Sequence, residues 1–567
     1  MNERQLLDLI TRAREEEWEE LDLAGLDLEV LPPEIGNLVK LKRLVLGKYD
    51  TIFEGNKLAN LPEELVQLKN LEVLSVFFNQ LTIIPTWIGK MTSLQILNFS
   101  RNQIKIISDS ITNLTNLQDI DLSYNKISFI PDSIGQLTNL QSLNLFQNRI
   151  AIIPDSIERL TSLRSFDISR NQIKIIPNSI RQIANLRKLE LWSNDIVVIP
   201  ESIKQLTNLQ ELNLSYNEIA IIPKWIERLT SLESLNIARN KINVIPKWIS
   251  RLSRLDSLDL QDNHISIIPA DICQLTNLQL LNLSNNEISI IPELIGQISN
   301  LKHLNLNNNQ IATIPDSIGE LTNLQYLNLG DNQISVIPDS IRTLTNLQLL
   351  NLHHNHITFI PESIGKLTNL QGLYFSENQI TLIPEWIENL TSLQLLNLHH
   401  NQIAVIPKWI GQLINLQHLF LPHNQIVVIP ESIGQLTNLQ SLTLNDNQIT
   451  VIPDSIGQLT NLKCLNLSSN KIAIIPDSIK QLIKLESLYL GNNQIVAIPR
   501  SIGQLTKLYS LYLHNNKIAV IHKSLRQLQR HTELTLDDNP IDVPIKILKS
   551  RNVKRILDYY FITRDEI

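Results

Sequence analysis

A curved solenoid of short parallel strands, stacked side by side over one continuous core, is the fold class this sequence predicts. Three observations predict it. Asparagine recurs every 23 residues without a gap from Asn56 to Asn539, 22 times in all. Nearly all of these marker asparagines follow apolar residues spaced LxxLxLxx, and most precede IxxIP. The chain is 43% hydrophobic but only 5% aromatic, so leucine and isoleucine fill the core almost alone. A period of this length signals an array whose repeats bury their apolar side only against neighbours.

The strand comes first in each repeat. In "LNL" side chains alternate at period two, so Leu143 and Leu145 face the core while Ser142, Asn144 and Phe146 face the open side. The marker asparagine ends the strand, where its amide satisfies backbone groups that the turn would leave unpaired. Proline then recurs in 19 of 22 repeats, with Ser108, His522 and Ile545 as the exceptions. Its fixed φ and missing donor suit an extended return segment that pairs with nothing. The following "DSIGQLTNL" is too irregular for a long helix and predicts short 3₁₀ turns. Bulkier turns opposite a thin sheet bend the stack, placing a parallel sheet on the concave face and the turns on the convex face. About 23 strands at ~4.8 Å give a platform on the order of 110 Å long, not a pocket.

Both ends of an array need covers. At the start, residues 1–17 predict a helical cap, with Leu6, Leu7, Ile10 and Ala13 at helical spacing. The acidic run Glu15–Glu20 reads as a solvated edge or an acidic docking site. Residues 18–544 hold about 23 repeats, the first imperfect at "WEELDLAGL" and the second carrying an insertion at 49–55. Residues 545–567 predict a second helical cap, with Val553, Ile556, Leu557, Tyr560 and Phe561 as its apolar stripe.

The pattern "LxxLxLxxNxIxxIP" resembles the leucine-rich repeat and covers essentially the whole chain. The opening helix, the "LGKYDTIFEGN" insertion and the "NP…ILDYY" ending resemble the repeat region of bacterial Roco proteins. The repeats are also similar to those of intracellular Ras-linked leucine-rich repeat scaffolds. Both resemblances imply signalling by protein contact, with a small GTPase or signalling protein as partner. The 567 residues contain no GxxxxGK[ST] phosphate loop, so a GTPase domain is expected elsewhere.

Composition narrows the function classes. A net charge of −7 provides no field for nucleic acid, and no apolar run suits a signal peptide or membrane span. Cys273 and Cys464 lie nine repeats apart, roughly 40 Å at ~4.8 Å per strand, too far for a disulfide. A reducing, cytoplasmic setting is expected. Cys464 stands where neighbouring repeats carry serine, and Cys273 replaces the glycine of "SIGQ". Neither reads as a nucleophile, and the expectation is a non-enzymatic chain without cofactor or metal.

Function is therefore sought in what varies on the open face. Four residues before the markers runs a polar, mildly acidic ladder, from Asp121 to Asn351, which then gives way to Tyr374, Phe420, Tyr489 and Tyr512. Neighbouring positions add Tyr326, Leu349, His353, Leu395, His399 and His418. Tyr326, Leu349, His353, Tyr374, Leu395, His399, His418 and Phe420 are the candidate partner-binding residues, since aromatic side chains anchor interfaces. Drift among copied repeats is the alternative. His353 and His354, like His399 and His400, are expected to point to different faces, and His353 lies two strands from His399, which disfavours a metal site. Tryptophan in "PxWI", as at Trp225 and Trp386, stacks on the adjacent turn or forms a second contact strip.

Overall fold

The computed structural model describes residues 1–49, 53–528 and 532–565, with side chains to residue 562. It divides into two compact units, Met1–Asn286 and Glu287–Ile567. Among the described residues, twelve three-residue strands of the first unit run from Glu20–Asp22 to Leu280–Asn282, and eleven of the second from His303–Asn305 to Glu533–Thr535. Strands pair in parallel with a register of one repeat, as Ser142↔Ser165, Leu143↔Phe166 and Asn144↔Asp167 show. Identical spacing favours this register, because a one-residue slip would turn the leucines outward.

Between residues 138 and 160 the seven core side chains Leu140, Leu143, Leu145, Ile150, Ile153, Ile157 and Leu160 are each no more than 3% exposed. The central strand residue is buried while both flanking ones are half-buried on the open face. A 3₁₀ turn follows, Asp155–Arg159 in this repeat, in line with the short turns expected.

Three local features differ from the expected picture or extend it. The return segment does pair, because the residue after most markers donates its N–H to the preceding repeat, as Lys126 does to the Ile104 carbonyl at 2.8 Å. Proline starts the 3₁₀ turn: the Pro154 carbonyl accepts the Ile157 N–H at 3.1 Å. Its missing donor is harmless there, and two of the residues that replace it cap the turn with side chains. Ser108 Oγ accepts the Ser110 N–H and His522 Nδ1 accepts the Ser524 N–H. Finally, the residue before every marker from Asn79 onward is left-handed whatever its type, including Tyr124 (φ 54°), Arg170 (φ 50°) and His354 (φ 48°). Such a residue costs roughly 1–2 kcal/mol, which the marker's hydrogen bonds offset.

In the first unit, helix Glu3–Glu15 buries Leu6, Ile10 and Ala13, and Asn2 and Gln5 close a capping box. The expected insertion at 49–55 is an antiparallel hairpin of Lys48–Tyr49 with Phe53–Glu54; its residues 50–52 lie outside the described residues. In the second unit, helices Ile545–Leu548 and Val553–Asp565 end the described chain. Val553, Ile556, Leu557, Tyr560 and Phe561 are buried, and the Tyr560 hydroxyl accepts the Ile521 N–H at 3.2 Å. The expected cap's last two residues, 566 and 567, lie outside the described residues.

Candidate protein-interaction surface

The polar ladder four residues before the markers holds the strand ends. Asn351 Oδ1 accepts the His353 N–H at 3.1 Å, and Asp121 Oδ1 accepts the Ser123 N–H at 2.9 Å. Asparagine or aspartate is thus placed there by a local turn before any partner is considered. Phe420 occupies this slot in the repeat where Pro422 has no N–H to hold, so the aromatic replacement there costs no backbone bond. Acids in this slot bear the burial: Asp121, Asp167 and Asp259 all have carboxyls pushed above the usual range, chiefly by desolvation.

Of the eight candidates, five meet around one notch in the second unit. Six residues before successive markers stand His303, Tyr326, Leu349, Gly372, Leu395 and His418. Side-chain bulk falls to nothing at Gly372 and rises again. The result is a hollow of 400 Å³ lined by Tyr326, Leu349, Tyr374, Leu395 and His418. A Cβ on Gly372 would meet the Tyr374 ring at 3.1 Å, so that ring leans over the glycine. Burial, with Tyr326 adding to it, raises the Tyr374 phenol, while burial and then Lys463 depress the His418 imidazole. Phe420 lies beside the hollow, stacked on His418 with ring centroids 5.9 Å apart. Gly372 escaped sequence reading because a residue without a side chain registers only when the column is compared across repeats.

His353 and His399 lie elsewhere, at the ends of their strands. The expectation that His353 and His354 point apart is incorrect: His353 Nε2 and His354 Nδ1 reach the two oxygens of Asp331 at 2.8 and 2.6 Å. Face alternation fails because His354 has left the strand for a left-handed conformation. His399 and His400 likewise touch, with centroids 5.3 Å apart, and His400 stacks on His423 at 4.0 Å. Burial first, then His400, depresses the His399 imidazole. Among the described residues no group of three or more His, Cys, Asp or Glu is placed to hold a metal ion.

The first unit carries an aromatic–arginine chain at the equivalent strand ends, which the sequence reading missed. The Arg101 guanidinium lies 4.2 Å from the Phe53 ring and 3.8 Å from that of Tyr124. Tyr124 meets Phe146 edge-on, Phe146 meets Trp192, and Arg170 lies 4.9 Å from the Trp192 ring. Arg239 continues the series over Tyr216 at 4.6 Å and pairs with Asp262 at 3.1 Å. Reading the two columns before the markers, rather than the fourth, would have found it.

Neither cysteine is activated. Burial pushes the Cys273 thiol up to about 11 and raises that of Cys464. Trp87, Trp225, Trp248, Trp386 and Trp409 are all half-buried, and Gly365 packs on the Trp386 backbone and Cβ.

Comparison with known proteins agrees with this architecture. The family model "Leucine-rich repeat region" matches residues 241–329, 313–406 and 400–488. A second model, "Leucine rich repeat", matches 105–150, 184–242 and 483–541. A plant peptide hormone receptor, RGFR1, solved with RGF2, is 30% identical over 92% of this chain and 87% of its own, with a TM-score of 0.73. A leucine-rich repeat protein of Leptospira interrogans is 35% identical over 72% of this chain and 98% of its own, with a TM-score of 0.61. The Arabidopsis receptor kinase HAESA, solved with the peptide hormone IDA and the co-receptor SERK1, is 28% identical over 93% of this chain and 91% of its own, with a TM-score of 0.63. No curated protein matches the chain. The chain belongs to the leucine-rich repeat family. Arrays of this kind are typical of protein-binding scaffolds and receptor ectodomains.

Proposed function

We propose that this chain is a non-enzymatic scaffold that holds a protein segment on the open face of its second unit, around Tyr326, Leu349, Tyr374, Leu395 and His418, with Phe420, His353 and His399 beside it. The notch at Gly372 carries this reading. Apolar and aromatic walls around a floor without a side chain suit one inserted side chain of an extended peptide, the kind of anchor that dominates interface energy. Two similar structures, RGFR1 and HAESA, are of receptors in complex with peptides. The test uses a twelve-residue random peptide library panned against the full chain. Recovered peptides should lose about tenfold or more in affinity when Tyr374 and Phe420 are both replaced by alanine, with circular dichroism unchanged; undiminished binding removes the site.

A second reading is a regulatory repeat module of a Roco-type or Ras-like GTPase system, acting in the cytoplasm. The opening helix, the hairpin at Lys48–Glu54 and the helical ending support it. A phosphate-loop GTPase encoded next to this chain and binding it in solution favours this reading. A neighbourhood without one, and no binding to Ras-like GTPases, discards it.

A further inference from the structure

The side of the first unit that follows the markers carries one large exposed apolar side chain in each of nine consecutive repeats, four residues after the marker. The series runs from Ile83 through Ile152 and Ile175 to Ile267, and its members are 46–75% exposed. Among the described residues, no strand, helix or turn of the unit covers it. Nine such side chains expose on the order of 1,000 Å², beyond the ~300–600 Å² apolar patch of an ordinary monomer and near the ~800 Å² that each partner gives a stable interface. At its middle lies a hollow of 680 Å³ between Ile152, Pro154, Ile175 and Pro177.

We infer that a second copy of this chain covers this ridge, running antiparallel, with a two-fold axis at the repeat of Asn171. Another copy has the same spacing of one apolar side chain per repeat, so that the side chains of one ridge can seat between those of the other. An isologous contact sets each repeat opposite the one equally far beyond the axis, and the charges flanking the ridge obey that rule. One residue after the markers, Arg149 falls opposite Asp195 and Lys126 opposite Glu218, with Gln172 meeting its own copy. Seven residues after the markers, Asp132 falls opposite Lys224 and Asp109 opposite Lys247. Asp155 opposite Glu201 and Lys174 opposite itself are the like-charged exceptions. All of these charges stand at the surface, where Glu218 also pairs with Lys241 and Asp109 accepts the Ser133 hydroxyl.

In the second unit the corresponding ridge is interrupted by Thr313 and Ala497, and the residue after the marker is glutamine in seven repeats. The charge pattern therefore belongs to the first unit.

Sedimentation equilibrium on the full chain tests the inference. The wild type should be a dimer at ~10 µM, and Ile175→Glu, at a site 75% exposed and thus neutral for folding, should be a monomer with unchanged circular dichroism. Arg149→Glu and Asp195→Arg should each weaken the dimer about tenfold, and the double variant should recover to within about threefold of wild type. A monomeric wild type at ~100 µM, or a dimer indifferent to Ile175→Glu, overturns the interface. Failure of the double variant to recover overturns the antiparallel arrangement. Binding of the ridge to an unrelated partner, with the wild type remaining monomeric, also overturns it.

Discussion

Asn217 accepts the Ile196 N–H on its Oδ1 at 3.0 Å, and its Nδ2 donates to the Leu191, Leu214 and Ser215 carbonyls at 3.0, 3.0 and 3.2 Å. One buried amide thus joins two repeats and holds the left-handed residue before it.

Replacing Asn217 by alanine leaves those groups without partners or water, and each buried orphan costs about 1–3 kcal/mol. Because an array unfolds locally, hydrogen exchange should quicken at Ile196 and Ser215 while distant repeats are unaffected. Uniform acceleration along the chain would contradict this.

Asp121 and Asp167 hold the same turn that asparagine holds in neighbouring repeats, but as buried carboxylates. Their folded pKa values are raised by desolvation, so stability declines as pH climbs from about 3.9 through the raised values, and the whole penalty is present at pH 7. Asp121→Asn with Asp167→Asn should therefore stabilise the first unit against urea by roughly 1 kcal/mol at pH 7. At pH 3 the gain should vanish.

His399 and His418 titrate in the opposite sense. Burial depresses both, so the unfolded chain takes up protons first. Stability of the strands carrying His399 and His418 should fall as pH drops from about 6.5 through the depressed values, and be complete above that range. Proteolysis of the second unit between pH 7.5 and 5 should show the loss, and His399→Gln with His418→Gln should flatten the profile.

Cys273 is fully buried with a thiol at about 11, whereas Cys464 is half-buried. Alkylation at pH 8 read by mass spectrometry should mark Cys464 slowly and Cys273 only after denaturant opens the first unit. Early labelling of Cys273 would mean that the core around it is open.

The strand register, the turns and the inward leucines were legible because the period repeats 22 times, leaving one way to align them. The marker's need for partners followed from a polar side chain among leucines. Its partner 21 residues earlier did not, nor did the left-handed residue before it, since Tyr124, Arg170 and His400 have nothing in common as residue types. The joint hold of His353 and His354 on Asp331 stayed hidden for the same reason: period-two alternation stops where the strand does. Five of the eight candidate residues share a wall, but the floor they share, Gly372, is visible only in three dimensions or down a column.

Hydrogen exchange of the full chain with a library-selected peptide, repeated with Gly372→Leu, tests the proposed docking surface most directly. Filling the notch with leucine should abolish the peptide's protection of the strands Tyr326–Asn328, Leu349–Asn351, Gly372–Tyr374, Leu395–Asn397 and His418–Phe420. Protection confined to other strands, or retained in full by Gly372→Leu, would contradict it.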